Sequence, residues 1–285
     1  MKLCSIIKIM KYAKMTLEYL YKNFLRMFCV AIVPAIVIVF FLQPKGFGIL
    51  FTVEDLAGVE TFLDIFFLAF NKNLFTQYPY MIVVGLGLLL TCVCYTMGML
   101  ERHFKTGKLS LRNPFSMMNN AFIPALIVLS LLFAVYMIFK FLIVCVLSLH
   151  ALIFNSLGMP YLAMSIIVGA LGIVGFGFTL KICRPIMLSS ATMLIYGYTF
   201  KDAMGVTVKM GDKQSVKEID LALLLPFAIY MLIRVLGVAV GINEIVAEII
   251  LSVVTVFLLQ YATTLIFVAF FDLTGIERRD LKKYY

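Results

Sequence analysis

Six stretches of the chain are apolar on every side for about twenty residues, and polar segments between them hold nearly all the charge. They cover residues 24–42, 79–100, 121–147, 161–180, 221–240 and 245–271. The hydrocarbon core of a bilayer is roughly 30 Å thick and takes about 20 such residues per helix. Barrel strands are about half that length and alternate in polarity, so these runs predict an all-α fold of six transmembrane helices.

Two further segments have an apolar face rather than an apolar surface. Near the start, Leu3, Ile6, Ile7, Met10, Ala13, Leu17, Leu20 and Phe24 recur at helical steps, with Lys8, Lys11, Glu18 and Lys22 elsewhere on the wheel. That pattern predicts a basic amphipathic helix over 1–23, lying in the headgroup plane and drawn to anionic lipid. Between the first two spans, Val59, Phe62, Leu63, Phe66, Phe67 and Phe70 share a face opposite Glu60 and Asp64. The long 43–78 connection is expected to carry an interfacial helix there, or a lid over a cavity. After the fourth span, Arg184-Pro185 breaks the apolar run. Residues 186–200 then read as an interfacial helix or a re-entrant half-span. If instead the membrane helix continues, Lys181 and Arg184 become buried charges.

Composition fixes the class. The chain of 285 residues is 63% hydrophobic and 14% charged, with a mean hydropathy of +1.06. Soluble domains average about 45–50% apolar and about 25% charged. Of the 24 basic residues, only Lys45 and Lys72 fall on one side of the spans; Lys140 and Arg234 lie within them, and Arg26, in the first turn of the first span, counts with the segment before it. All the others lie in segments on the opposite side, which the positive-inside rule makes cytoplasmic. Both termini are therefore expected in the cytoplasm, with 24–271 as the bundle and 272–285 as a basic tail. The net charge of +9 follows from that asymmetry and needs no nucleic acid. The partners it implies are anionic inner-leaflet lipid and, at the same face, a cytoplasmic protein. The six cysteines are expected as free thiols, since the outer connections contain none.

Part of the sequence repeats. Phe133-Ala-Val-Tyr-Met matches Phe227-Ala-Ile-Tyr-Met, and at the same offset Lys140 falls on Arg234, Leu142 on Leu236 and Val144 on Val238. Val84-Gly-Leu-Gly matches Val174-Gly-Phe-Gly at a slightly shorter offset. Spans two and three thus read as a helical hairpin duplicated in parallel as spans four and five.

Ionisable residues within spans are the candidates for function. Arg234 sits about 20 Å along its span and Glu248 about 5 Å into the next, so the two are expected at similar depth. Glu244 lies above them, and Lys140 near the outer surface, where it can snorkel. This group, Arg234, Glu248, Lys140 and Glu244, reads as a ligand site for an anionic group or as a static ion pair. Gln260, Thr263 and Thr264 are the deepest polar residues of the last span and are expected to bond neighbouring helices or backbone. Gly169, Gly172, Gly175 and Gly177 suit close helix packing. Pro34, Pro124 and Pro226 are possible kinks. Asp202, Asp212, Glu218 and Asp220 read as a solvated mixed-charge loop. Catalysis has little support: His103 and His150 fall on opposite sides of the membrane, and no nucleophile–base, phosphate-binding or metal-binding motif occurs. No cofactor or metal is expected.

Four stretches carry a resemblance: Glu101-Arg-His-Phe-Lys-Thr-Gly, Arg112-Asn-Pro-Phe, Tyr196-Gly-Tyr-Thr-Phe-Lys-Asp-Ala, and the tail Phe271-Asp-Leu-Thr-Gly-Ile-Glu-Arg-Arg-Asp-Leu-Lys-Lys-Tyr-Tyr. Together they resemble uncharacterised six-span membrane proteins of low-GC Gram-positive bacteria. The third is also similar to the membrane domain preceding some glycerophosphodiester phosphodiesterases, whose catalytic domain has no counterpart here. Ala31-x-x-x-Ala35 is similar to a small-residue motif in substrate-binding subunits of energy-coupling transporters, a spacing that also serves plain helix packing. The resemblance implies a multi-pass protein of a bacterial plasma membrane. The function expected is a small permease-like transporter, or transporter subunit, for an anionic or amphiphilic solute. The alternative is a non-transporting membrane protein that binds lipid or scaffolds a cytoplasmic partner.

Overall fold

A computed structural model of the chain describes residues 11–42, 61–64, 66, 79–108, 113–157, 161–210 and 213–281. Among these residues every regular element is helical: α1 (Lys11–Lys22), α2 (Phe24–Val37), α3 (Pro79–Thr106), α4 (Pro114–Leu157), α5 (Tyr161–Tyr196), α6 (Phe200–Lys209), α7 (Lys213–Val240) and α8 (Glu244–Thr274). A π turn, Ile38–Leu42, extends α2, and a 3₁₀ turn, Arg279–Leu281, follows α8. Helices α3, α4, α5, α7 and α8 are each long and apolar enough to cross a membrane. A sixth span is counted if α1 and α2, bent by 94° at their junction, are taken together. With its π turn, α2 covers 19 residues, about 28 Å of rise, close to one hydrocarbon thickness.

The helices outrun the apolar stretches because polarity does not stop a backbone ladder. Glycine does. Gly107, Gly197, Gly241 and Gly275 follow α3, α5, α7 and α8 directly, each with φ near +70°, the left-handed cap that glycine adopts without strain.

Spans α2, α3, α4, α5, α7 and α8 pack in sequence around a ring, and α8 also touches α3 and α5. Small residues set the closest approaches. A Cβ on Gly98 of α3 would lie 2.6 Å from the Met117 carbonyl of α4; on Gly175 of α5, 2.6 Å from the Phe139 ring of α4; and on Gly172 of α5, 2.9 Å from the Met231 methyl of α7. Gly169 approaches Val235 of α7, whereas Gly177 has open space beside it. Helix α5 is thus wedged between α4 and α7. Ala31 and Ala35 of α2 are fully buried and cluster with Cys92 and Val256, so that small-residue pair serves packing against α3 and α8.

The region after Arg184-Pro185 is neither a separate interfacial helix nor a re-entrant loop, because α5 runs through it to Tyr196. Proline forfeits one ladder bond and crowds the preceding turn, yet neighbours hold the helix on both sides. Arg184 pairs with Asp220 of α7 at 2.6 Å, and Thr207 of α6 donates to the Pro185 carbonyl at 3.3 Å. Lys181 stays exposed, so only one of the two feared charges is withdrawn from water, and it is matched. Residues 186 and 188–193 are buried, which accounts for their lack of charge. Helix α7 correspondingly starts at Lys213. Glu218 is buried on it and accepts from Gln214, so Glu218 and Asp220 do not belong to a solvated loop. Asp202 instead caps α6 with Thr199, whose hydroxyl donates to it at 2.6 Å. Asp212 lies outside the described residues.

Both described ends of the chain meet at one end of the bundle. Lys11 and Tyr12 bond Asp272 at 2.7 and 2.9 Å. Arg278 pairs with Asp280 at 2.7 Å and stacks over Phe104 at 4.3 Å and Tyr19 at 5.9 Å. Tyr19 Oη lies 2.7 Å from His103 Nδ1. Helix α1 packs onto the bundle: Tyr12, Ala13, Thr16, Tyr19 and Leu20 form its buried face, while Leu17 and Tyr21 stay exposed beside Lys14 and Lys22. Burial and the neighbouring Asp272 push the Tyr12 phenol pKa well above its ordinary value. The first ten residues lie outside the described part. So does most of the 43–78 connection, although its Phe66 ring meets Phe141 of α4 edge-on at 5.5 Å.

Candidate functional site

The candidate site is built on α7 and α8. Arg234 is held within α7 by a turn of helix: its Nη1 donates to Tyr230 Oη at 2.9 Å, and the guanidinium lies 5.7 Å from the centre of the Tyr230 ring. Arg234 is 4% exposed and Glu248, on α8, is 8% exposed. The helices that carry them are joined at this level by a cluster of Tyr230, Met231, Ala247 and Leu251, closed on the third side by Val39 of the π turn.

Glu244 is exposed, in the first turn of α8 beside its cap Asn243. Lys140, on α4, is 8% exposed and is not among the described lining of the cavity that Tyr230 reaches.

That cavity was not visible in the sequence. It has a volume of about 400 Å³ and lies at the centre of the ring, walled by all six spans from Ile38 of the π turn to Phe267 of α8. Tyr230 forms its boundary nearest Arg234. No charged residue lines it among the described residues; its polar members are Ser190, Tyr230, Thr255 and Thr263. The space is lined almost wholly by apolar side chains and is partly open to the surroundings of the bundle.

The remaining sequence candidates serve structure. Gln260 accepts from Thr96 at 3.3 Å and donates to the Cys92 sulfur at 3.7 Å, tying α8 to α3. Thr263 donates to its own helix at the Leu259 carbonyl. Thr264 is fully buried, and its hydroxyl has no hydrogen-bond partner among the described residues. Five cysteines are described and all five are free. His103 takes part in the contact between α1 and α3, and that contact borders a second cavity of about 330 Å³ lined by Glu18, Lys22, Arg278 and Asp280. Ion pairing within that lining already engages Arg278.

Two structural features escaped sequence reasoning. Thr255 was hidden because a threonine in a membrane helix ordinarily bonds its own backbone. Arg278 looked like one more positive-inside charge. No family model, curated protein or solved structure matches the chain.

Proposed function

We propose that this is a small permease-like membrane protein that handles an anionic amphiphile, with the anionic group at Arg234 and the apolar part in the central cavity. One observation carries the reading: Tyr230 both bonds the buried guanidinium and walls the cavity. A cation next to a space lined by apolar side chains suits a molecule with one charged end. A purely hydrophilic anion gains nothing from the lining, and a neutral lipid has no use for the arginine. The reading is non-catalytic and needs no cofactor or metal. It places the protein in a bacterial plasma membrane with the basic end in the cytoplasm. A duplicated hairpin supports it, since repeats commonly flank transport sites. In both copies the matched cations, Lys140 and Arg234, are buried, while Ile138 and Leu232 beside them, and Leu142 and Leu236, face outward.

The test is transfer of a fluorescent anionic amphiphile across proteoliposome membranes, wild type beside Arg234→Gln. The expected result is acceleration by the wild type and at least a tenfold slower rate in the variant. Equal rates, or no acceleration by either, would remove the transport reading. A second reading is favoured by the exposed Leu17, Tyr21, Phe24 and Leu25 beside Lys14 and Lys22: a protein that binds anionic lipid, or docks a partner, at its basic end. It predicts vesicle or partner binding that depends on these lysines and not on Arg234.

A further inference from the structure

We infer that the central cavity binds the single acyl chain of an acidic lipid, and that Thr255 donates a hydrogen bond to the carbonyl oxygen joining chain to head. This deepens the reading above and rests on it for the position of the head.

The cavity's hydroxyls are not equivalent. Ser190 donates to the Met187 carbonyl at 2.6 Å and Thr263 to the Leu259 carbonyl at 3.0 Å, so both protons are spent within their own helices. Tyr230 Oη already accepts a hydrogen bond from the Arg234 guanidinium. Thr255 is different. It is 6% exposed, it lines the cavity, and its hydroxyl has no partner among the described residues. A buried hydroxyl without a partner is disfavoured relative to the valine of the same shape. Its presence is explained if an occupant supplies the acceptor.

The rest of the wall fixes what else the occupant can be. With no charged lining residue described, the body inside must be uncharged. A methylene takes up nearly as much room as a water molecule, about 30 Å³, so a space of about 400 Å³ has room for one chain of about a dozen carbons. Thr255 is two helical turns, about 10 Å, inward from Glu248, and the buried Arg234 lies toward the Glu248 end beyond Tyr230. An anionic head at Arg234, an ester carbonyl at Thr255 and a chain running on between Leu129, Leu132 and Phe267 fit that order.

The experiment uses delipidated full-length protein in detergent and native mass spectrometry. Three probes are titrated: lauroyl lysophosphatidate, its dodecyl ether analogue without the carbonyl, and glycerol phosphate without the chain. Wild type is expected to bind the ester one-to-one, the ether roughly fivefold to tenfold more weakly, as for one neutral hydrogen bond, and glycerol phosphate not at all. Thr255→Val should bind ester and ether alike, at the level of the ether, while Thr255→Ser keeps the preference. Ala125→Leu, which projects into the cavity, should weaken both lipids. Melting curves of each variant confirm that it is folded. A wild type that does not distinguish ester from ether, or a Thr255→Val that still does, overturns the inference. Glycerol phosphate binding as tightly as the lipid overturns it too, and shows a free phosphate ligand instead. If Arg234→Gln abolishes binding while chain and carbonyl are without effect, this inference alone fails. If Arg234→Gln changes nothing, the reading of Arg234 fails and the acidic head with it.

Discussion

The two halves of α8 face different surroundings. From Thr264 to Phe271 every residue is buried, whichever way it points. This half is enclosed by α1, α3, α5 and α7 and clamped by Asp272 and Arg278 beyond it. From Ile245 to Val253 the helix shows one outward face of Ile245, Val246, Ile249 and Val253, and Glu248 is buried on the other. The cavity opens between the two halves, at Thr255, Leu258 and Leu259. A packed end and a hollow middle on one rigid helix separate the part that holds the bundle together from the part that can bind.

The contrast is broken most forcefully at the packed end. Arg278→Ala leaves Asp280 buried without its cation and strips the cover from Phe104. About 3–5 kcal/mol is expected, read as a large fall in melting temperature in detergent. Phe267→Ala should cost a similar 3–5 kcal/mol, but with part of the loss recovered when a lipid fills the enlarged cavity. The sharpest comparison is one substitution made twice. Ala269→Leu forces extra volume into a full core and should destabilise by about 1–3 kcal/mol. Ala125→Leu projects into the cavity and should be neutral or stabilising by up to about 2 kcal/mol. Differential scanning fluorimetry of the pair decides it, and the same sign for both would mean that the cavity is not a real difference.

A pH test separates the halves as well. The Tyr12 phenol has a folded-state pKa above its unfolded value near 10, so its contribution is complete below that pH. It is lost as the unfolded chain begins to ionise above about pH 10. Melting temperature should fall there in wild type and fall less in Tyr12→Phe. At the small end of the scale, Lys105→Ala removes a partly exposed pair with Glu101 and should change stability by about 0.5 kcal/mol or less.

How much of this was legible follows from what each residue says alone. The spans were readable because all-round apolarity has few other meanings, and Arg234 and Glu248 because charge in such a run is rare. Helix ends were misjudged where polarity was taken as the boundary and a left-handed glycine sets it, as at Gly107 and Gly197. The continuity of α5 through Pro185 depends on Asp220 and Thr207, which arrive from two other helices. The cavity belongs to no segment: six walls make it, and each wall looks like any other lipid-soluble helix. Glu244 was placed above Arg234 and Glu248 by its position in the chain, and it stands exposed at the start of α8.

The order of synthesis adds a last consequence. Among the described helices α8 is the last along the chain, and α1 rests on its far end. The other described spans are therefore made before α8, and the wall that it supplies to the cavity is missing until it arrives. Only then can Asp272 reach Lys11 and Tyr12. The bundle is closed by joining α1 to the far end of α8, so a truncation that removes the last turns of α8 should undo helices made long before them.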